Sequence, residues 1–167
     1  RRKAQKSIQV LQVQLMNNGN NSNNSNVAIT QLKKYITSKN VLSNEAVLWL
    51  FRKEHSRRTD KEVQGLVDSN LGMVLKLATK FYNHHLNITG NESMGVELLE
   101  LFNAGVIGLN KAIEKFDAFR GTKFSTYAYF WISQSIRDEI RSQIYPMKSY
   151  SYTDLSFEEV EDTEEDG

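Results

Sequence analysis

The sequence predicts an all-α fold, a compact bundle of three to four helices with disordered or linker tails. Three observations lead to this prediction. Apolar residues recur every three to four positions over long stretches, as they do on one face of an α-helix. The 167 residues include a single proline, which suits long helices because proline interrupts their backbone hydrogen bonding. No stretch shows the strict apolar–polar alternation of a half-buried strand.

The predicted elements follow one another from residue 27 onward. Leu32, Tyr35 and Ile36 indicate a short helix, and Ser43 resembles the cap of the next one. Thr59 is a second cap, because acidic residues fill the turn that follows it. The helical period then runs for about two dozen residues, until the polar stretch 84–96 is expected to break it.

Two further helices are predicted in the second half of the chain. One covers about 97–116, and Gly121 is expected to end the turn that follows it. The last helix covers about 125–143, and Pro146 stops it. The core face of this last helix is expected to consist of Ala128, Ile132, Ile136 and Ile140, which repeat every four residues.

Charge is distributed unevenly between the two ends of the chain. Residues 1–60 carry 11 Lys and Arg against 3 Asp and Glu, whereas residues 151–167 carry 8 acidic residues and no basic one. This asymmetry suggests a polyanionic partner, and the alternative is a pair of solvated tails. We expect a basic segment with an Asn-rich linker over 1–26, the helical domain over 27–148 and an acidic linker or tail over 149–167. The absence of an initial Met suggests a fragment or a processed product.

Composition excludes several classes of protein. Cysteine is absent, which removes disulfides, thiolate zinc sites and cysteine nucleophiles and fits a reducing compartment. Mean hydropathy is -0.51 and no apolar run is long enough for a membrane span, so no membrane association is expected. His84, His85 and Glu92 match no metal-binding spacing. We therefore expect neither a metal, a cofactor nor an enzymatic activity.

The segment 114–141 is the part of the sequence that indicates function. It holds 7 of the 17 aromatic residues within 116–131, interspersed with Arg120 and Lys123. On a face separate from the expected core face, the helix carries a row of aromatic, amide and cationic side chains: Tyr127, Phe130 or Trp131, Gln134, Arg137 and Arg141. Rings stack on unpaired bases and cations follow phosphates, so this pattern suits single-stranded nucleic acid. The alternative is an aromatic-rich core beside a solvated polar face.

This segment closely resembles region 2 of the sigma-70 family, the promoter-recognition subunits of bacterial-type RNA polymerase. The resemblance rests on residues 121–128, on Phe130-Trp131-Ile132 and on Gln134. It continues upstream through 105–116, which resembles region 2.2, and through 70–82, which resembles region 2.1. Residues 32–45 resemble region 1.2 more weakly, so about 27–148 is covered. The resemblance implies a helical bundle of the sigma region 2 type.

The resemblance also implies which residues would bind promoter DNA. Tyr127 would stack on an adenine flipped out of the minus-ten element, in a pocket with Phe116, Asp117, Arg120 and Phe124. Phe130 and Trp131 would wedge at the upstream edge of the melted region, and Asn70 would line a second pocket. Gln134 and Arg137 would face the first duplex base pair. The full predicted DNA-binding set is Asn70, Phe116, Asp117, Arg120, Lys123, Phe124, Thr126, Tyr127, Phe130, Trp131, Gln134, Arg137 and Arg141.

The helix over 97–116 is implied to dock on core RNA polymerase, at the clamp helices of the largest subunit. The predicted contacts are Asn103, Ala104, Val106, Leu109 and Asn110. The family usually has Gln-Glu-Gly-Asn where this chain has residues 103–106, so docking is either weaker or matched to a divergent polymerase. Asp138 also stands where the family commonly has a basic residue.

Two functions are compatible with these features. The first is a transcription initiation factor that melts the minus-ten element by capturing bases of the non-template strand, with Tyr127 and Phe124 serving capture rather than the core. The second is a degenerate sigma-like regulator that binds polymerase or an anti-sigma factor without melting promoters. Either would accompany polymerase, in a bacterial cytoplasm (nucleoid) or a plastid stroma. The acidic tail is expected to shield the basic DNA face, or to be only a linker.

Overall fold

The computed structural model describes residues 24–54, 57–90 and 95–144, and every regular element within these ranges is helical. The helices are α1 (Asn24–Thr37), α2 (Asn44–Arg52), α3 (Asp60–Ile88), α4 (Leu98–Lys115) and α5 (Phe124–Ile144). A short 3-10 turn (Ala118–Arg120) connects α4 to α5. The all-α prediction is confirmed. The predicted basic N-terminal segment, most of the Asn-rich linker and the acidic tail lie outside the described residues.

Two helix starts are fixed by side-chain caps that the sequence predicts. The Ser43 hydroxyl accepts a hydrogen bond from the Ala46 N–H at the start of α2. At the start of α3, Thr59 Oγ1 accepts from the Glu62 N–H, and the Glu62 carboxylate accepts from the Thr59 N–H at 2.8 Å. This reciprocal capping box satisfies backbone donors that would otherwise lack partners.

Two predicted boundaries are wrong. Helix α1 begins at Asn24, inside the segment 1–26 whose Asn-rich end is expected to be a linker. Helix α3 continues to Ile88, past the break expected at residue 84. In α3 the reason is tertiary, because His85 is buried with only 6% of its surface exposed. Packing of this face outweighs the modest helix propensities of His and Asn.

The core lies where α3, α4 and α5 pack together. The predicted core face of α5 is confirmed, since Ala128, Ile132, Ile136 and Ile140 are all buried. Helix α4 approaches α5 closely at Gly108, where an added Cβ would meet the Trp131 carbonyl oxygen and would lie 2.8 Å from Ile132 Cα. The two backbones are therefore almost in contact, and α4 fixes the position of α5.

Helix α2 is attached to this bundle through Phe51 and through a buried arginine. Arg58 Nε donates to the Leu50 carbonyl at 2.9 Å, and its Nη2 donates to the Phe51 carbonyl at 3.2 Å. The guanidinium also lies over the Phe51 ring, 4.9 Å from its centroid. Burial lowers the pKa of Arg58 from its usual value. Arg58 thus caps the C-terminal end of α2 while its charge is held against an aromatic face.

Candidate nucleic-acid interface

A cluster of aromatic rings lies at the junction of α4, the 3-10 turn and α5. The ring of Phe51 lies 4.8 Å from that of Phe116 and 4.7 Å from that of Phe124. Phe116 also contacts Tyr127, with ring centroids 5.5 Å apart, and Tyr127 in turn lies 6.3 Å from Trp131. The cluster runs from buried rings at Phe51 to half-buried rings at Tyr127 and Trp131. It is therefore continuous between the core and the surface.

Phe124 belongs to the core, so the prediction that it serves base capture rather than the core is wrong on that point. Phe124 is 5% exposed and packs on Phe51 and Phe116, and Phe116 is itself only 8% exposed. These rings are covered by Phe51 of α2, a residue far upstream in the sequence. In this conformation Phe116 and Phe124 offer no free face to a base, and their contacts support Tyr127 from below.

Tyr127, Phe130 and Trp131 are the accessible aromatic residues of α5 among the predicted DNA contacts. Tyr129 is also exposed, and its ring lies 6.0 Å from that of Phe130. Phe130 is 68% exposed, whereas Tyr127 and Trp131 are half-buried. The Tyr127 hydroxyl donates to the Lys115 carbonyl at 3.5 Å. The Lys115 ammonium lies 4.4 Å from the centre of the Trp131 ring. Sequence reasoning missed Lys115; its position in the last turn of α4, one residue before the aromatic segment, was the available signal.

The polar end of the same helix is held together by Asp138. Gln134 Nε2 donates to Asp138 Oδ1 at 2.9 Å, and Arg141 Nη1 donates to the same oxygen at 3.3 Å. Arg137 instead lies over the ring of Phe81, 5.3 Å from its centroid. Exposed pairs of this kind contribute little stability, so a base edge or a phosphate can displace them. Two of the predicted DNA contacts, Gln134 and Arg141, are thus hydrogen-bonded to Asp138.

The remaining predicted DNA contacts lie on the turn before α5 and on α3. Arg120 Nε is 3.5 Å from Asp117 Oδ2 in a solvent-exposed ion pair. Lys123 and Thr126 are exposed at the start of α5. Asn70 is half-buried on α3, and its amide donates to the Leu66 carbonyl at 2.7 Å.

The predicted polymerase contacts on α4 are mostly inside the bundle. Leu109 is fully buried, and the other buried members are Ala104, Val106 and Asn110. The prediction that α4 docks through Leu109 and Asn110 is therefore corrected, because these side chains pack against the protein itself. The accessible stripe of α4, called here the outer stripe, consists of Glu100, Asn103, Ile107, Lys111 and Glu114.

Within the described ranges, no group of three or more His, Asp or Glu side chains is arranged to hold a metal ion. His85 is buried in α3, and Glu92 lies outside the described residues. In the same ranges, no helix combines the length and apolarity that crossing a membrane requires. The chemistry available at the site is aromatic stacking, hydrogen bonding and ion pairing.

Comparison with known proteins places this site in a family. The family model for sigma-70 region 2 matches residues 66–144, which include α4, the turn and α5. A protein of Synechocystis sp. named probable RNA polymerase sigma-C factor is 40% identical over 78 residues, 47% of this chain and 17% of the relative. An RNA polymerase sigma-C factor of Nostoc sp. is 42% identical over 71 residues, 42% of this chain and 15% of the relative. The chain thus spans less than a fifth of the length of these curated relatives. Residues 66–144 thus match region 2 of the sigma-70 family.

Proposed function

We propose that this chain acts in transcription initiation as a sigma factor, a non-enzymatic subunit that joins core RNA polymerase to promoter DNA. In this proposal it recognises and melts the minus-ten element by capturing flipped bases of the non-template strand on α5. The observation that carries the proposal is the surface of α5, where the aromatic residues Tyr127, Phe130 and Trp131 lead into Gln134 and Arg137. Such a surface can hold unpaired bases at one end and contact a duplex at the other.

Capture of single strands would supply the free energy of melting. Flipping a base out of a duplex costs a few kcal/mol in lost stacking and pairing. Stacking on an aromatic side chain returns about 1–3 kcal/mol for each base. Tyr127 is placed for this role, because Phe116 lies against its ring while part of the side chain remains accessible. Two captured bases are then enough to offset the cost, without any nucleotide hydrolysis.

The cluster beneath Tyr127 makes capture efficient. Phe51, Phe116 and Phe124 contact one another at 4.7–5.2 Å, so the ring that would receive the base rests on a packed support. The hydrogen bond from Tyr127 to Lys115 further limits its motion. A receptor surface that is ordered in advance loses less conformational entropy on binding.

For polymerase docking, we assign the contact to the outer stripe of α4. The apolar side chain of Ile107, at the centre of the stripe, is 46% exposed, and Lys111 and Glu114 are also exposed. Glu100 at one end accepts a hydrogen bond from Gln143 of α5 at 2.6 Å. Residues of both charges, Glu100, Lys111 and Glu114, surround Ile107. An apolar centre with a charged rim suits a protein partner with a mixed apolar and charged surface. Within residues 103–106, Ala104, Gly105 and Val106 are buried. Asn103 is half-buried, so it alone of the four can contribute a side chain to docking.

The test measures binding of a single-stranded non-template minus-ten oligonucleotide by fluorescence anisotropy. Tyr127→Ala should weaken binding by about 1–3 kcal/mol while the thermal midpoint stays within a few degrees, because the ring is not fully buried. Tyr127→Phe is the matched control, since it keeps the ring and removes only the long hydrogen bond to Lys115. It should bind almost as well as the wild type.

Two outcomes would contradict the proposal. If Tyr127→Ala unfolds the protein while affinity per folded molecule is unchanged, Tyr127 has only a structural role. If the wild type binds core polymerase but shows no affinity for the oligonucleotide, the chain is a regulator that occupies polymerase without melting promoters.

A further inference from the structure

Phe119 is the most exposed aromatic side chain in the described part of the protein, with 80% of its surface accessible. It lies in the middle of the 3-10 turn between α4 and α5 and belongs to no packed cluster. A large apolar side chain is normally buried on folding, so an isolated exposed phenylalanine beside a binding surface requires an explanation.

The turn holds this ring away from the core. Ala118, the preceding residue, is buried, so the chain is anchored there. Asp117 Oδ1 accepts a hydrogen bond from the Phe119 N–H at 2.9 Å, and the Asp117 carbonyl accepts from the Arg120 N–H at 3.3 Å. Gly121 ends the turn with φ of 74°, a conformation that suits glycine. These contacts hold the backbone of the turn in place, and in this conformation the Phe119 ring lies in solvent.

The surroundings of Phe119 are cationic. Arg120 and Lys123 are both exposed within four residues of it. The contact from Arg120 to Asp117 is a solvent-exposed ion pair at 3.5 Å, which a phosphate can replace at little cost. An exposed ring flanked by cations matches a nucleic-acid strand, whose bases stack while its phosphates meet the charges. It suits an apolar protein surface less well, because those cations would have to be desolvated.

We propose that Phe119 is a further base-stacking residue for single-stranded DNA. This inference rests on the proposed function. Along α5 the duplex-facing residues Gln134 and Arg137 lie towards the C-terminal end, Tyr127 lies in the first turn, and Phe119 precedes the helix. A strand that leaves the duplex and passes Tyr127 therefore reaches Phe119 next. Phe119 stacks on a base on the side of Tyr127 away from the duplex, and Arg120 or Lys123 binds an adjoining phosphate.

The experiment uses the full 167-residue chain and a set of single-stranded minus-ten oligonucleotides, each with one abasic position. Phe119→Ala should weaken binding of the intact oligonucleotide about 5- to 150-fold, as the loss of one stacked base requires. Phe119→Trp should bind at least as tightly as the wild type. Phe119→Leu keeps apolar bulk without a π face and should be almost as weak as the alanine variant. Ile88→Ala, at an apolar residue 67% exposed on another element, is the matched control and should change nothing.

The abasic series identifies the base. At one position, on the side of the Tyr127 site away from the duplex, loss of the base should make wild type and Phe119→Ala bind equally. If Phe119→Ala binds like the wild type while Tyr127→Ala is weakened, the inference is wrong and the proposed function stands. If Phe119→Ala loses affinity for core polymerase and not for the oligonucleotide, the ring contacts protein and the inference is overturned. If the wild type binds no oligonucleotide, both the proposed function and this inference fail.

Discussion

Gly108→Ala tests the close approach of α4 and α5 on which the whole interface depends. A Cβ at Gly108 would meet the Trp131 carbonyl oxygen, and it would lie 2.8 Å from Ile132 Cα and 2.9 Å from Ser135 Oγ. Two of these three atoms belong to the backbone of α5, so rotating a side chain cannot relieve the contact. The helices must separate or one of them must shift.

The expected change in the free energy of unfolding of Gly108→Ala follows from two opposing effects. Overpacking a well-filled core costs about 1–3 kcal/mol. Replacing glycine by alanine inside a helix returns about 1 kcal/mol of intrinsic propensity. Because the obstructing atoms are backbone atoms, we expect the upper part of the overpacking range and a net destabilisation of about 1–2 kcal/mol.

Gly72→Ala provides the matched control within the same protein. Gly72 is exposed on α3, and an added Cβ there would lie 3.8 Å from the flexible end of Ile36, an ordinary contact. This variant should gain about 0.5–1 kcal/mol, because only the propensity effect remains. Gly105→Ala should fall between the two, since the closest atom there, Val74 Cγ1 at 2.7 Å, is the end of a side chain.

Urea denaturation followed by circular dichroism measures all three variants. The free energy of unfolding should be highest for Gly72→Ala, lower for the wild type and lowest for Gly108→Ala. Single-strand binding by folded Gly108→Ala should also fall, because Trp131 lies at the point of contact. If Gly108→Ala were as stable as Gly72→Ala, the close packing of α4 on α5 would be refuted.

Two further predictions concern pH. The hydrogen bond from Lys53, followed by that from the Thr59 backbone, lowers the pKa of Glu62 to about 2. The ionised Glu62 carboxylate therefore stabilises the fold fully above its ordinary pKa, and this stabilisation is lost as pH falls towards 2. Glu62→Gln should therefore lower the thermal midpoint at pH 7, and its difference from the wild type should shrink steadily between pH 5 and pH 2; a difference independent of pH would contradict this. Burial, followed by repulsion from Glu97 and Glu139, raises the pKa of Glu100, so its ionised form destabilises the fold at neutral pH. Glu100→Gln should raise the thermal midpoint at pH 7, with the gain disappearing in acid as the wild-type carboxyl becomes protonated, and a loss of stability at pH 7 would count against the assignment.

Local signals in the sequence predicted the parts of the fold that depend on neighbouring residues. The Ser43 and Thr59 caps and the four-residue period of α5 are all recognisable within one or two helical turns, and all are confirmed. The burial of Phe124 was not predictable in this way, because its cover comes from Phe51 of another helix. The burial of Leu109 was not predictable for the same reason, because it depends on packing against the other helices of the bundle.

In the candidate site too, the sequence predicts features local to one helix and does not predict contacts between side chains. The types of residue on α5 follow from its sequence, and Tyr127, Phe130 and Trp131 do lie at its surface. The hydrogen bonds to Asp138 and the position of the Lys115 cation over Trp131 depend on side-chain conformation, which the sequence pattern does not contain.

In the proposed function, α5 captures unpaired bases of one particular strand. The most direct measurement compares the affinity of the wild-type chain for three forms of one minus-ten sequence at fixed salt: the non-template single strand, its complement and the duplex. Salt must be fixed because phosphate contacts alone would bind all three. We predict that the non-template strand binds most tightly and that a single abasic substitution at the flipped adenine removes this preference. Equal affinity for the three forms would contradict the account, since it would show that the surface attracts phosphates and captures no base.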